Sequence, residues 1–371
     1  MNKNMYMDLH IIQTVPPSCV NRDDTGSPKT AVYGGTMRAR VSSQAWKHVM
    51  REMFKDIFSA QQNGYRTRKS EKLVEEKIRQ DHPEIESEKA EEIASKIWEM
   101  AIKKEAGNKK KTETKDVMFF ISSAQVKALA DLAWEYNLMT KDEKNNEKEI
   151  AMKAKNALRE NPSIDMILFG RMSADAPSLN YDAVAQVAHS ISTHTVSNEY
   201  DYFTAVDDCN EKGTVGAGHL GTVEFNSSTL YRYATVNISE LAEHLTNEEL
   251  KLAVRGFTDA FIRSMPTGKQ NTFANRTLPD LVYVTVRKDQ PVNLAGAFEK
   301  PVYAGDEGYV EKSKAALFEH AKKVYADYVT EPDQAWIIGE ETDQINAKKV
   351  NLKELLADIE NAAGSCLPDG E

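Results

Sequence analysis

The chain has 371 residues and a formal net charge of −10 at pH 7, a length that predicts either one large domain with insertions or two domains. Hydrophobic residues make up 41%, enough for a substantial core. No stretch approaches the ~18–20 apolar residues of a membrane helix, and the N-terminal residues do not resemble a signal peptide. We therefore expect a cytoplasmic protein with no membrane partner. Cys19, Cys209 and Cys366 are isolated, which excludes a readable disulfide framework or thiolate zinc site.

The acidic balance argues against a nucleic-acid partner for the protein as a whole. The segment from Lys29 to Arg51 is an exception, because it contains five Lys or Arg residues, one histidine and no acid. Phosphate binding needs a local basic surface and not a basic chain. This segment is therefore a candidate anion-binding surface, although charge alone fits a solvated helix face equally well.

In chain order, residues 5–15 alternate as a strand that Pro16-Pro17 should end. Residues 18–41 contain Gly26, Pro28 and Gly34-Gly35 and predict an irregular segment. Ser42 and Ser43 offer an N-cap to a long amphipathic helix.

Residues 60–162 are rich in charged helical patterns and predict a mostly helical insertion. Residues 163–172 favour a strand, as do the β-branched residues at the end of 181–196. The segment from Ser197 to Leu220 is rich in Gly, Asp and aromatic residues.

Two strand-like runs follow, at 221–225 and 228–238. Thr246 and Glu249 form a capping box for a helix over 247–264, and 280–287 alternates as a strand. The sequence predicts two further helices near 307–328 and 351–361. Without the insertion, the order is strand, helix, strand, strand, helix, strand. This order predicts an α+β fold with a ferredoxin-like core, which does not by itself establish a function.

The start of the predicted helix is the strongest candidate binding site. A helix N-terminus presents unpaired N–H groups and a partial positive charge, which suit phosphate. Donors and cations cluster there from the helix and from the preceding loop: Lys29, Arg38, Arg40, Ser42, Gln44, Lys47 and Arg51. The alternative is ordinary helix capping by Ser42 or Ser43 beside exposed lysines.

Three other segments are candidates. Arg171 and Met172 leave the predicted strand and could contact the backbone and a base of RNA, or Met172 could pack at the strand end. Residues 200–220 suit a projecting hairpin arm whose aromatic residues stack on bases, or a cover for the sheet. Lys269 lies in a polar loop after Pro266 and is a weak candidate alone.

Enzyme motifs are absent: the sequence has no phosphate-binding glycine loop, no zinc-protease motif and no nucleophile elbow. His189 and His194 are five residues apart, on opposite faces of a strand, and so are unsuited to a shared metal. The paired acids Asp23-Asp24 and Asp207-Asp208 could hold Mg²⁺, although adjacent acids in turns are more often solvated.

Several blocks along the chain resemble the CasC-type backbone subunit of the type I-E CRISPR Cascade complex, of the RAMP superfamily. The blocks are Pro17–Asp24, Tyr33–Gly35, Arg38–Gln44, Gly170–Met172, Ala188–His194, Asp201–Asp208, His219–Thr222, Tyr231–Ala234 and Gly268–Gln270. They extend in order across most of the chain, whereas the helical insertion and C-terminal tail match loosely.

The resemblance implies a hand-like protein. Its parts would be an RRM-like palm with C-terminal helices (1–59 and 163–371), helical fingers (60–162) and a β-hairpin thumb (197–224). Copies would bind head to tail along CRISPR RNA (crRNA) and leave its bases free to pair with a target DNA strand. The other expected partners are the large, small, 5′-handle-binding and crRNA-processing Cascade subunits. No cofactor, metal or catalytic residue is implied.

The resemblance also assigns residues to roles. It implies contacts with the guide backbone by Lys29, Ser42, Gln44, Lys47 and Arg51. It implies contacts at a displaced nucleotide by Met172, Phe203, His219 and Leu220, and a further RNA contact by Lys269.

Two alternatives remain open. Related backbone proteins in other CRISPR systems cut bound RNA, so this chain could be a metal-dependent RAMP endoribonuclease that uses Asp23 or Asp24. A small-molecule enzyme of ferredoxin-like fold is a more distant hypothesis.

Overall fold

The structure is a computed structural model that describes residues 4–102, 118–140, 143, 146–173, 176–205, 219–340 and 342–365. The chain divides into two compact units. The first combines Met1–Met53 with Ala185–Glu371, and the second is Phe54–Val184.

The described residues form twelve strands. Their bounds are β1 Tyr6–Ser18, β2 Thr30–Tyr33, β3 Thr36–Val41, β4 Gly64–Thr67, β5 Phe119–Ser122, β6 Ala185–Val187, β7 Ser190–Ser192, β8 Glu199–Ala205, β9 His219–Asn237, β10 Leu281–Arg287, β11 Gln334–Ile338 and β12 Lys348–Lys349. Ten of them make one sheet in the first unit, in the order β12-β11-β10-β1-β9-β7-β3-β2, with β6 and β8 also paired to β9. Apart from the parallel β11–β12 contact, the pairing is antiparallel.

The same residues contain eleven α-helices. Their bounds are α1 Ser43–Ile57, α2 Ser70–Asp81, α3 Ser87–Ile102, α4 Ser123–Leu138, α5 Glu147–Arg159, α6 Ile164–Phe169, α7 Ile238–Ala242, α8 Asn247–Arg263, α9 Gln270–Phe273, α10 Val310–Asp327 and α11 Leu352–Gly364. Within the described ranges, none of them is both long enough and apolar enough to cross a membrane.

The centre of the first unit has the predicted α+β character. Strand β1 lies between β10 and β9, and the short strands β6 and β7 pair with the other edge of β9. With α1 after β1 and α8 after β9, the order strand, helix, strand, strand, helix, strand is that of a ferredoxin-like core. The second strand of this core comes from 185–192, within the range 181–196 for which a strand is predicted.

The prediction of a strand at 163–172 is wrong, because these residues contain the helix α6. Every residue from Ile164 to Phe169 is buried, and all but Asp165 are apolar, so the run shows neither a two-residue nor a 3.6-residue period. Gly170 follows with a φ of 76° and ends the helix.

Two predictions near the N-terminus are also corrected. Strand β1 continues through Pro16-Pro17 to Ser18, because its register with β9 shifts between Val15 and Ser18. Prolines are tolerated at such irregularities, where no ladder hydrogen bond is required of them. The segment 18–41 is not irregular throughout, since β2 and β3 form a hairpin whose turn residues, Gly34 and Gly35, both have positive φ.

Most predicted helices are confirmed. Ser42 caps α1 through its hydroxyl, which accepts a hydrogen bond from the Ala45 amide at 3.3 Å. The capping box of Thr246 and Glu249 opens α8. Strand β10 and helices α10 and α11 lie where the sequence predicts them.

The second unit is mainly helical, as predicted for 60–162. Helices α2 to α5 enclose a core that includes Val74, Ile97 and Leu129. The strands β4 and β5 form a separate antiparallel pair in this unit.

Candidate nucleic-acid interface

Residues 21–29 of the first unit form a closed loop. At its neck, the Lys29 amide donates to the Asn21 carbonyl oxygen at 2.8 Å. Inside the loop, one Asp23 carboxylate oxygen accepts hydrogen bonds from the Thr25 amide at 2.9 Å and the Ser27 amide at 3.0 Å. The Thr25 hydroxyl donates to the same oxygen at 2.7 Å. This hydroxyl bond first, and then the amide bonds, lower the pKa of Asp23. Asp23 therefore builds the turn.

The neck of this loop is tied to both β3 and α1. The Arg40 amide donates to the Lys29 carbonyl oxygen at 2.9 Å. The side-chain oxygen of Asn21 accepts the Ser42 amide at 2.9 Å. The loop, the end of β3 and the start of α1 therefore form one connected surface.

Arg40 is held beside a histidine on this surface. Its Nε donates to the Thr30 carbonyl oxygen at 3.1 Å, and its Nη1 lies 3.2 Å from Nδ1 of His189. Because a guanidinium has only donors, Nδ1 of His189 accepts and the ring proton sits on Nε2. Partial burial and then the charges of Arg40 and Lys29 lower the pKa of His189. The three basic side chains are therefore close enough to interact electrostatically.

The first turn of α1 leaves donors available. Among the described residues, the amides of Ser43 and Gln44 have no hydrogen-bond acceptor. Gln44 is exposed, and Lys47 and Arg51 are partly exposed. These three positions share one side of the helix by their three- and four-residue spacing. The opposite side is buried, where Trp46 donates its indole N–H to the Ser190 hydroxyl at 2.9 Å.

Ser42 differs from the rest of this set. It is 5% exposed, and its hydroxyl serves as the helix cap. Ser42 therefore acts as an ordinary helix cap, which was the alternative interpretation of the sequence. Its neighbours Ser43 and Gln44 present the outward donors.

Arg38 and Arg171, both predicted to contact RNA, are buried in the structure. Arg38 is fully buried in the first unit, where its guanidinium donates to the carbonyl oxygens of Ser192, Phe298 and Glu299.

Arg171 is 3% exposed in the second unit. It donates to the carbonyl oxygens of Phe120, Leu158 and Leu179, and burial lowers its pKa to about 10. Both arginines therefore satisfy backbone carbonyls inside the protein.

Strands β8 and β9 form the hairpin predicted for 197–224, as far as the described residues extend. All seven residues of β8 are exposed. Phe203 pairs with Gly221, and a Cβ added at Gly221 would lie 2.3 Å from the Phe203 ring. Gly221 therefore allows that ring to lie across the partner strand.

The other predicted residues at a displaced nucleotide are placed as follows. Leu220 is 55% exposed on the hairpin, and Met172 is 88% exposed in the second unit. The backbone of His219 pairs with Ala205, while its side chain and residues 206–218, including Asp207-Asp208, lie outside the described residues.

Lys269 lies against the segment that leads into the 21–29 loop. Its neighbour Gly268 approaches so closely that an added Cβ would be 2.3 Å from the Val20 carbonyl oxygen. Lys269 itself has a φ of 51°. Lys269, predicted to lie in a polar loop, is therefore held next to the surface that contains Lys29 and Arg40.

A sequence model for a family described as CT1975-like protein matches residues 7–362. The chain belongs to the CT1975-like family. The resemblance to CasC-type backbone subunits is thereby confirmed, and the type I-E subtype stays a prediction.

Two solved structures contain chains similar to this CT1975-like protein. One is described as a CRISPR RNA-guided surveillance complex, pre-nicking; its chain is 31% identical, with 96% of this chain and 100% of that chain covered and a TM-score of 0.79. The other is described as a CRISPR RNA-guided surveillance complex; it is 26% identical, with coverage of 95% and 99% and a TM-score of 0.69. None of the curated proteins matches.

Sequence reasoning missed two residues of the surface in this CT1975-like chain. Asn21 stands inside the Pro17–Asp24 block, and its side-chain bond to Ser42 has no local sequence signal. His189 stands inside the Ala188–His194 block, but its contact with Arg40 depends on strand pairing across the sheet. Within the described part of the chain, no three His, Cys, Asp or Glu residues are grouped as a metal site would require.

Proposed function

We propose that this protein is a non-catalytic backbone subunit of a type I-E CRISPR surveillance complex that binds the sugar-phosphate chain of crRNA. The single observation that carries the proposal is the connected basic surface of Lys29, Arg40, His189 and the first turn of α1. The similarity over nearly the whole chain to subunits of CRISPR surveillance complexes supports it.

The chemistry of this surface suits phosphate and not bases. Lysine, arginine and helix-end amides bind phosphate oxygens and fix a register without reading sequence. A subunit of this kind accepts any spacer, and recognition of the target DNA strand is delegated to base pairing by the guide.

The proposal includes assembly of several copies head to tail. A heterologous contact of this type makes an open helical array. The exposed β8–β9 hairpin, with Tyr202, Phe203 and Leu220, would separate groups of nucleotides by displacing one base. Met172, exposed in the second unit, is a further proposed contact at a displaced nucleotide. The large, small, 5′-handle-binding and crRNA-processing Cascade subunits would complete a cytoplasmic assembly.

The test is to purify the chain with its bound nucleic acid and to sequence that material. We expect RNA with the repeat and many different spacers, and a 260/280 nm absorbance ratio well above that of protein. The purified chain should bind two guide RNAs of unrelated spacer sequence with similar affinity. Absence of bound RNA together with no binding to either guide would refute the proposal.

The hairpin role has its own test. Replacing residues 203–219 by a short Gly-Ser turn, which removes Phe203, should leave RNA binding in place but remove the regular spacing of nuclease-protected nucleotides in the assembled complex. Unchanged periodicity would contradict the assignment of the hairpin as a separator.

A further inference from the structure

We propose that Asn21 is a positioning residue for guide binding. It holds Lys29 in place relative to the first turn of α1, so that this surface is already formed when the sugar-phosphate chain binds. The inference rests on the proposed function, because it names the residue that organises the same surface.

Asn21 makes two hydrogen bonds, one through its backbone and one through its side chain. Its backbone oxygen accepts the Lys29 amide at 2.8 Å, which closes the loop. Its side-chain oxygen accepts the Ser42 amide at 2.9 Å, which ties the loop to the residue before α1. An apolar side chain would keep the first bond and lose the second.

The loop itself is stiff, so its attachment decides where its cations lie. The carboxylate of Asp23 braces the turn through Thr25 and Ser27, and Arg22 pairs with Pro28 across the loop. The Asn21–Ser42 bond links the neck of this stiff loop to the residue before α1, beside the Arg40–Lys29 backbone bond that links it to β3.

Loss of the link has two physical consequences. The Ser42 amide, in a residue only 5% exposed, would lose its acceptor, which is unfavourable for a buried donor. Lys29 would stay tied to β3 through the Arg40 amide, but its separation from the Ser43 and Gln44 amides would be held less tightly, so ordering these groups on a phosphate chain would oppose binding. Asn21 therefore acts on RNA affinity through Lys29 and α1, without touching the RNA.

The first test compares Asn21→Ala with wild type on two RNA oligonucleotides of unrelated sequence. We expect about tenfold weaker binding to both, equivalent to about 1.4 kcal/mol, with an unchanged circular dichroism spectrum. Wild-type affinity in Asn21→Ala would overturn the proposal.

Asn21→Asp is the conservative variant, because a carboxylate still accepts the Ser42 amide while it adds a negative charge. Its affinity deficit should shrink towards wild type as salt rises, since salt screens the added charge. The deficit of Asn21→Ala should persist. An Asn21→Asp deficit that is the same at every salt concentration would contradict the positioning role, and this titration decides the matter if Asn21→Ala does not fold.

A double-mutant cycle separates positioning from general stabilisation. If Asn21 acts through Lys29, Asn21→Ala with Lys29→Ala should bind about as weakly as the weaker single variant. Arg51→Ala is the matched control: Arg51 is nine residues beyond Ser42, or about 13 Å along the helix, so its effect should add to that of Asn21→Ala. Additive effects with Lys29 would refute the inference.

The two levels of failure are distinguishable. If the proposed function fails, wild type and every variant fail to bind RNA. If this inference alone fails, wild type binds RNA and Asn21→Ala binds it equally well.

Discussion

Arg38 and Arg40 lie two residues apart on β3, so both side chains leave the same face of the strand, yet their surroundings differ. Around Arg38, three carbonyl oxygens accept from the guanidinium in a fully buried site. Around Arg40, one carbonyl and one histidine nitrogen orient a side chain that stays partly exposed. The local supply of acceptors thus decides whether a cation serves the fold or remains available to a ligand.

The same contrast separates two histidines. His10 is fully buried between the rings of Tyr233 and Tyr283, and its Nε2 has no hydrogen-bond partner among the described residues. Burial, and then the charge of Arg287, lowers its pKa to about 3. His189 is exposed and faces Arg40. The buried histidine should therefore affect folding stability, and the exposed one the orientation of Arg40.

The largest expected effect tests the arginine contrast. Arg38→Ala should lower the free energy of unfolding by about 3 kcal/mol or more, because three carbonyl oxygens lose their donor. Arg40→Ala, the matched control, should lower it by about 0.5 kcal/mol while weakening RNA binding. Urea denaturation measures both, and equal midpoints for the two variants would break the comparison.

Next in size is the contribution of α1 to RNA binding. Lys47→Ala with Arg51→Ala should weaken binding to unrelated guides at least about tenfold. It should flatten the slope of log K against log salt by about 1.4 if two phosphate contacts are lost.

The control for this variant has the same change of charge on another helix, Lys322→Ala with Lys323→Ala on α10. It should leave affinity and slope unchanged. A loss confined to one guide sequence, or an equal loss in the control, would argue against phosphate binding by α1.

A smaller effect is expected from His10 as pH falls. Its pKa is about 3 in the folded chain and near 6.5 when unfolded, so acidification protonates the unfolded chain first. The contribution of neutral His10 to the free energy of unfolding is complete above pH 6.5 and declines towards pH 3, by at most about 1.4 kcal/mol per pH unit.

His10→Phe should therefore lose less stability than wild type between pH 6.5 and 4. Asp8 acts in the opposite direction, because burial raises its pKa to about 6, but it is present in both proteins and cancels in the difference. Identical pH profiles of the urea midpoint would show that His10 does not titrate as the structure requires.

The smallest expected effect concerns the endoribonuclease alternative. Complementary RNA incubated with the guide-bound complex and Mg²⁺ should remain intact, and Asp24→Ala should change nothing. Cleavage by wild type that Asp24→Ala abolishes would instead favour the metal-dependent enzyme.

Local signals explain which elements the sequence could predict. The capping box at Thr246, the serine cap of α1 and the alternation of 280–287 each act within a few residues, and all three are confirmed. The helix α6 was missed because a run buried on all sides has no period. The β2–β3 hairpin was missed although its Gly-Gly turn is visible, because a flanking run of four residues carries little pattern.

The amino-acid sequence by itself determined where the cations stand along the chain, where most helices begin and which ordered blocks mark the family. It could not decide that Arg38 turns inward while Arg40 stays at the surface, or that Asn21 joins a loop to a helix twenty-one positions away. Those outcomes depend on carbonyl oxygens and amides from segments distant in sequence. Only the packed sheet brings these groups within hydrogen-bonding distance, so the tertiary structure alone decided them.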